Sequence, residues 1–302
     1  MRNFGLSISL ADSTIKKYSK LYGAFQWFLL IQNIPKSNQF ALECFAAYLS
    51  INKKSYDINT LKPAIQFFAD VEGWKLNVAD SFVRVKKGLT KAYYIVDRTK
   101  LKRNGVSSYD IKSYIDSISS QDEFTYNLST AILVVGFRLL ARPGDLCALS
   151  WTSVKSNKPK KDWFTFDLSG HKTDFFMIDD PTPIEPYKGD KKFCPSFILK
   201  RYIQMVSHFK SPDSPLFSCS DDLYLDTLDL SNIIKTAMSS IGVSHTSGHS
   251  LRIGAATELA SKGVSDVVIE TAGNWAPGSK SRKRYQRRIG LASKDFTTTL
   301  FN

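Results

Sequence analysis

Four short stretches of this 302-residue chain hold side chains able to work on a phosphate. ARPGDLCALSW (141–151) places Arg142 directly before Pro-Gly, with Asp145 three residues on. A carboxylate in that place can hold the guanidinium while its planar fork faces an anion. GHSLRIGAATELA (248–260) sets His249 and Arg252 three apart. If a helix opens at Ser247 or Gly248, both lie on one face of its first turn, where free backbone amides also favour an anion. AGNWAP (272–277) carries Trp275 behind a Gly-Asn turn. SKSRKRYQRR (279–288) embeds Tyr285 in a run where six of the nine residues from 280 to 288 are basic and none is acidic.

Other chemistries can be tried on the same sequence. His245 and His249 have the i, i+4 spacing of a zinc pair, but Gly248 interrupts a helix there and no cysteine pair stands nearby. Asp179, Asp180, Glu185, Asp221, Asp222 and Asp226 could be offered as ligands for two metal ions, yet they fall in Pro-rich and loop-like sequence. No G-x-x-x-x-G-K-[ST] occurs, so no nucleotide-driven motor is indicated.

The elements that must position these residues read as mainly helical. From Asp12, apolar side chains recur at Ile15, Tyr18, Leu21, Tyr22, Phe25, Phe28 and Leu29, a helical period with Asp12 or Ser13 as cap. Ser37 is expected to cap a second helix through Phe40, Leu42, Phe45 and Tyr48 to Leu49. A third runs from Asn59 to Val71, with Pro63 near its first turn. A fourth starts at Asp80 or Ser81. DRTKLKRNGVSS (97–108), polar, basic and glycine-containing, reads as a linker between two domains, 1–103 and 104–302. FTYNLSTAILVVGFRLL is apolar nearly all round and is expected to be a buried core helix. WFTFDLSGHKTDFFMI (163–178) reads as a β-hairpin turning at Ser-Gly-His-Lys, and a Pro-rich stretch over 181–195 follows it. Further helices are expected at about 195–208, 229–241, 249–261 and 264–272. The fold class is therefore mainly α with a small β-sheet in the second domain.

Charge narrows the partner. The chain carries 41 Lys+Arg against 28 Asp+Glu, net +13, and residues 1–103 alone hold 17 basic against 7 acidic side chains. A polyanion is indicated, either nucleic acid or an anionic membrane surface, and the first third is the natural grip. The apolar charge-free run from Leu21 to Pro35 is too short to span a bilayer, and the N-terminus lacks the apolar core of a signal peptide. Cys44, Cys147, Cys194 and Cys219 show no framework spacing and read as reduced packing residues of an intracellular protein.

Each candidate taken alone has an ordinary explanation: a salt-bridged arginine, a helix-start histidine, a core tryptophan, a tyrosine in a solvated basic run. Their joint order and spacing, 23 residues from Arg252 to Trp275 and 10 from Trp275 to Tyr285, overturn those explanations. The set resembles the tyrosine recombinase/integrase superfamily, whose pattern is an Arg in R-x-x-E/D-L, a hairpin Lys, H-x-x-R, a His or Trp, and a Tyr. Here the matching residues are Arg142, Lys172, His249, Arg252, Trp275 and Tyr285. Lys160 and Lys161 lie near the same hairpin as Lys172. The wording of 248–275 looks most like recombinases of eukaryotic mobile elements, the DIRS-like retroelements and cryptons. Asp145 stands where Glu is commoner, and Trp275 where His is commoner.

The resemblance implies a helical core-binding domain and a catalytic domain forming a C-shaped clamp on double-stranded DNA, acting as a homo-tetramer with a dimer per site. It implies strand cleavage and rejoining through a covalent 3′-phosphotyrosine, with Tyr285 as nucleophile, the two arginines on the phosphate and Lys172 protonating the leaving oxygen. No metal or other cofactor is implied, nor any membrane, and the location is nuclear if the host is eukaryotic. Phe296, Leu300 and Phe301 are suited to docking the tail onto a neighbouring protomer. Two other readings share much of this pattern: a DNA-binding protein that has lost catalysis, and a type IB topoisomerase.

Overall fold

The structure, a computed structural model, describes residues 12–52, 58–96, 103–117, 122–156, 162–168, 181–207, 211–212, 214–220, 223–278 and 282. The chain divides into two compact units, Met1–Leu101 and Lys102–Asn302.

The first unit is helical. Helix α1 (Asp12–Ile31) buries Leu21, Tyr22, Phe25, Phe28 and Leu29, the stripe that the spacing predicts. Helix α2 (Ala41–Ile51) returns Leu42, Phe45 and Leu49 to the same core, and Phe25 meets Phe45 edge-on at 5.3 Å. Its start differs from the sequence expectation. Ser37 does not cap it; the Asn38 side-chain oxygen instead accepts the Phe40 N–H at 2.8 Å, so the chain turns before the helix begins. A short 3₁₀ turn (Ile58–Thr60) leads into α3 (Leu61–Glu72), which Gly73 ends in the left-handed region at φ 78°. The Tyr22 hydroxyl donates to Glu72 at 2.6 Å, tying α1 to the end of α3, and Lys36 joins the same carboxylate at 3.1 Å. Helix α4 (Phe82–Val96) completes the described part of this unit.

The second unit is built round one helix. After α5 (Ser108–Ser117), helix α6 (Glu123–Arg138) is capped by Asp122, whose carboxylate accepts the Thr125 N–H at 2.8 Å. Residues Asn127–Gly136 of α6 are all buried, as a helix apolar on every side must be when others surround it. A six-residue helix, α7 (Pro143–Ala148), follows almost at once. Strands β1 (Val154–Ser156), β2 (Phe164–Phe166) and β3 (Thr182–Ile184) form an antiparallel sheet in the order β1-β2-β3. Phe164 and Phe166 enter the core while Thr165 faces away, the alternation of a half-buried strand.

The sheet differs from the hairpin expected. Among the described residues, β2 pairs with β1 and β3, with Phe166 opposite Val154 and Phe164 opposite Ile184. The expected turn and return strand at 169–178 lie outside the described residues. Strand β3 falls inside the stretch read as Pro-rich loop; Pro183 is tolerated because β3 is an edge strand in the described sheet, where a missing N–H disrupts no ladder. Helix α8 (Pro195–Val206) packs along α6. A two-stranded ribbon, β4 (Ser218–Ser220) and β5 (Leu223–Tyr224), precedes α9 (Thr227–Ser240), which Asp226 caps. Helices α10 (Ser250–Ser261) and α11 (Asp266–Ala272) close the described fold. No helix among the described residues is long and apolar enough to cross a membrane.

Candidate active site

The site starts where α6 ends. Leu140 adopts a left-handed conformation (φ 48°), an unusual state for a bulky side chain, and the chain turns so that Arg142 becomes the residue before α7. Pro143 opens α7, where a missing N–H costs nothing. Asp145 acts as foreseen from the sequence and also as a cap. Its carboxylate accepts the Arg142 backbone N–H at 2.9 Å and lies 3.6 Å from Arg142 Nη1. Nη1 is buried and makes no hydrogen bond, so a donor is held ready in a place where an unsatisfied one costs about 1–3 kcal/mol.

The start of α10 is brought to this turn through a glycine. A Cβ on Gly248 would fall 2.5 Å from Pro143 Cγ and 2.8 Å from Ser231 Oγ, and the Gly248 N–H donates to that hydroxyl at 3.2 Å. Helix α10 runs over Ser250–Ser261, close to the 249–261 expected, so His249 is its N-cap residue and Arg252 lies in its first turn. Ser247 donates its N–H to Ser250 Oγ at 2.9 Å in the turn that leads into the helix.

Arg252 is 1% exposed. Its Nη1 donates to the Leu140 carbonyl and its Nη2 donates to the Gly273 carbonyl at 2.6 Å. Its guanidinium carbon lies 3.7 Å from the centre of the Trp275 ring. The left-handed turn at Leu140 thus also presents a carbonyl to Arg252. Trp275 packs on the backbone of Gly273, where a Cβ would come within 2.1 Å of the indole. Asn274, also left-handed (φ 48°), makes the turn between them.

His249 sits among these charges. Burial first, then Arg103, Arg252 and Arg142, pull its pKa below the ordinary value, while Asp145 opposes them. The surroundings therefore favour the neutral imidazole over the imidazolium. Arg103 is a residue that sequence reading assigned to the linker, and nothing local in its stretch marks it as part of a site.

The structure thus brings Arg142, His249, Arg252 and Trp275 together from three separate stretches. Lys172 and Tyr285 lie outside the described residues. Arg282, from the basic run before Tyr285, is not an outward cation. It is 4% exposed and forks onto Asp266 at 2.6 and 2.5 Å, with its Nε donating to Glu270 at 2.9 Å. Glu270 also accepts the Gly278 N–H at 2.9 Å. His245 has a left-handed backbone (φ 58°) before α10, so it shares no helix face with His249 in the manner of a zinc pair. Of the acidic cluster, Glu185 pairs with Arg138 at 2.6 Å and Asp226 caps α9.

By sequence the chain matches no family model and no curated protein. By structure it is similar to a lambda integrase (residues 75–356) dimer bound to a COC′ core site, with a TM-score of 0.61 and 13% identity, over 93% of this chain and 91% of that one. The fold is that of the tyrosine recombinases. A lambda integrase tetramer bound to a Holliday junction aligns at TM-score 0.58 and 11% identity, over 96% of this chain and 76% of that one. The XerH site-specific recombinase in a post-cleavage complex with palindromic difH aligns at 0.57 and 14%, over 90% and 75%. The small sheet and helices α10 and α11 lie in the second unit, the part of the chain that holds Arg142, His249, Arg252 and Trp275.

Proposed function

We propose that the chain is a site-specific DNA recombinase that cuts and rejoins duplex DNA through a covalent 3′-phosphotyrosyl link to Tyr285. The observation that carries the reading is the gathering of Arg142, His249, Arg252 and Trp275 from three separate stretches at one place in the second unit, on a recombinase fold. A DNA phosphodiester is shielded by its own charge, so a catalyst must supply cations where the transition state gathers negative charge. Arg142, with a buried donor held by Asp145, and Arg252 supply them on the non-bridging oxygens. The Tyr285 oxygen attacks phosphorus, the bond to the 5′-oxygen breaks, and that oxygen takes a proton from Lys172. The phenol proton passes to a base, for which neutral His249 is suited. Attack by a 5′-hydroxyl on the phosphotyrosine reverses the step and conserves the bond energy, so neither nucleotide nor metal enters. Trp275 supplies an indole N–H, as a donor only.

The finer parts of the reading are these. The first unit, with its basic excess, grips DNA as a core-binding domain; the second performs the chemistry. Four protomers assemble on two sites. The wording of 248–275 favours integration or excision of a eukaryotic mobile element, and with it a nuclear location. The full burial of Arg252 gives some support to a second reading, a DNA-binding protein without catalysis, because a guanidinium under an indole must be uncovered before it can meet a phosphate.

A suicide duplex separates the two. The DNA site is first enriched from a randomised pool by binding, then nicked beside the scissile phosphate. A covalent protein–DNA adduct that vanishes in Tyr285→Phe is the expected result. Tight binding without any adduct would leave the silent reading standing.

A further inference from the structure

Residues 103–107 behave as part of the second unit, not as a slack connector. The Asn104 N–H donates to the His245 carbonyl at 3.0 Å and its side-chain amide donates to the Ser244 carbonyl at 3.0 Å. The Val106 N–H donates to the Ser250 carbonyl at 3.0 Å, and Val106 is itself fully buried. Gly105 and Gly254 meet backbone to backbone: a Cβ on Gly105 would lie 3.0 Å from Gly254 Cα, and one on Gly254 would lie 1.7 Å from the Val106 oxygen. These contacts run along both ends of the loop that carries His249. Arg103, the next residue back, therefore starts from a fixed backbone beside that loop. Unlike Arg252, it is exposed.

We propose that Arg103 is a further phosphate-contacting arginine, taking the DNA phosphate next to the one that Arg142 and Arg252 hold. The inference rests on the proposed DNA chemistry of this site and names a contact that its motif does not contain. Three features assign Arg103 to the neighbouring phosphate. Arg142 is half-buried and Arg252 buried, so both serve a group that enters the site. Arg103 is exposed, on a backbone fixed beside the loop that carries His249. A guanidinium also suits a phosphate better than an ammonium does, because its planar fork matches two oxygens at once. Arg103 also stands with Arg252 and Arg142 among the cations that lower the pKa of His249, with Asp145 as the opposing charge.

The test is a binding cycle that needs no cleavage. Wild type and Arg103→Ala are titrated with the enriched duplex, unmodified or carrying a neutral methylphosphonate at single positions round the scissile phosphate. Arg103→Ala is expected to weaken binding of the unmodified duplex about tenfold, the scale of a charge-assisted hydrogen bond. It should lower the salt slope by about one contact. Neutralising the adjoining phosphate should weaken wild type similarly and leave Arg103→Ala unaffected, with Arg103→Lys between the two. In the free protein, the His249 imidazole resonance should titrate at higher pH in Arg103→Ala than in wild type. Equal sensitivity of wild type and variant at every phosphate overturns the inference, as does an unmoved His249 titration. Coupling at one phosphate without any adduct in wild type would uphold the contact and defeat the recombinase reading instead.

Discussion

The guanidinium of Arg252 lies face-on to the indole of Trp275, 3.7 Å from the ring centre, and the two share the Gly273–Asn274 turn. Trp275 therefore does two things that can be separated. It covers a cation, and with Leu140, Ala255, Ala256 and Ile269 it forms a small core of its own. Trp275→Ala should cost about 3–5 kcal/mol as a large-to-small core change, together with the ~0.5–2 kcal/mol of the cation–ring contact. Trp275→Phe keeps a ring over Arg252 and removes fewer buried atoms, so it should cost less than Trp275→Ala. Urea unfolding measures both. If the indole N–H serves the phosphate, Trp275→Phe should still slow adduct formation while remaining folded.

Arg282 and Glu270 make the second test. The basic run looks like a DNA-binding strip, yet Arg282 is consumed inside the protein by Asp266 and Glu270. Glu270 is nearly buried, so Arg282→Ala strands its charge and should destabilise by about 3 kcal/mol, at the low end for a broken buried pair because Asp266 is open to water. Arg282→Gln, assayed below its melting transition, should bind duplex DNA with an unchanged salt slope, because that charge faces no phosphate. A slope smaller by one contact would return Arg282 to the DNA-facing set.

Gly254 and Val106 make the third. A methyl group on Gly254 would overlap backbone atoms, 1.7 Å from the Val106 oxygen and 2.5 Å from its carbonyl carbon, and backbone cannot rotate away. Gly254→Ala should therefore cost at least the upper end of the ~1–3 kcal/mol typical of overpacking. Gly105→Ala meets Gly254 Cα at 3.0 Å and should cost less. Thermal melts of the two variants check the order. The same variants should release the 103–107 segment, read as faster amide exchange at Val106.

What the sequence made legible was local. The stripe Leu21–Leu29 and the apolar run of α6 follow from periodicity alone, and both are buried. Arg142 with Asp145, and His249 with Arg252, were readable because each pair is three residues apart and its geometry is set within one turn. The unread parts depend on distant partners. The segment that starts at Arg103 is tied to the His249 loop through contacts such as Asn104 with Ser244, 140 residues away, and no periodicity encodes that. The ion pairs of Arg282 were not legible because its acids stand 12 and 16 residues earlier, on α11. Strand β3 was hidden by Pro183, which propensity counts against a strand although an edge position accepts it. Helix α2 starts late because Asn38 competes for the Phe40 N–H.

The last prediction concerns pH. His249 has a pKa below its ordinary value of 6.5 because burial and the cations of Arg103, Arg252 and Arg142 disfavour the imidazolium. Above that value the ring is neutral in both the folded and unfolded chains and contributes nothing to the pH dependence. As pH falls below it, the unfolded chain binds a proton that the folded chain refuses, so stability falls with pH until the folded ring also titrates. His249→Gln removes this titration. Wild type should thus lose more unfolding free energy than His249→Gln between neutral pH and the folded pKa of the ring, and the two curves should run parallel above about 6.5. Urea unfolding across that range measures the difference. A wild-type curve that stays parallel to the variant throughout would show that the cations do not act on this ring. Adding Arg103→Ala should shrink the difference, because one of the three cations is then gone.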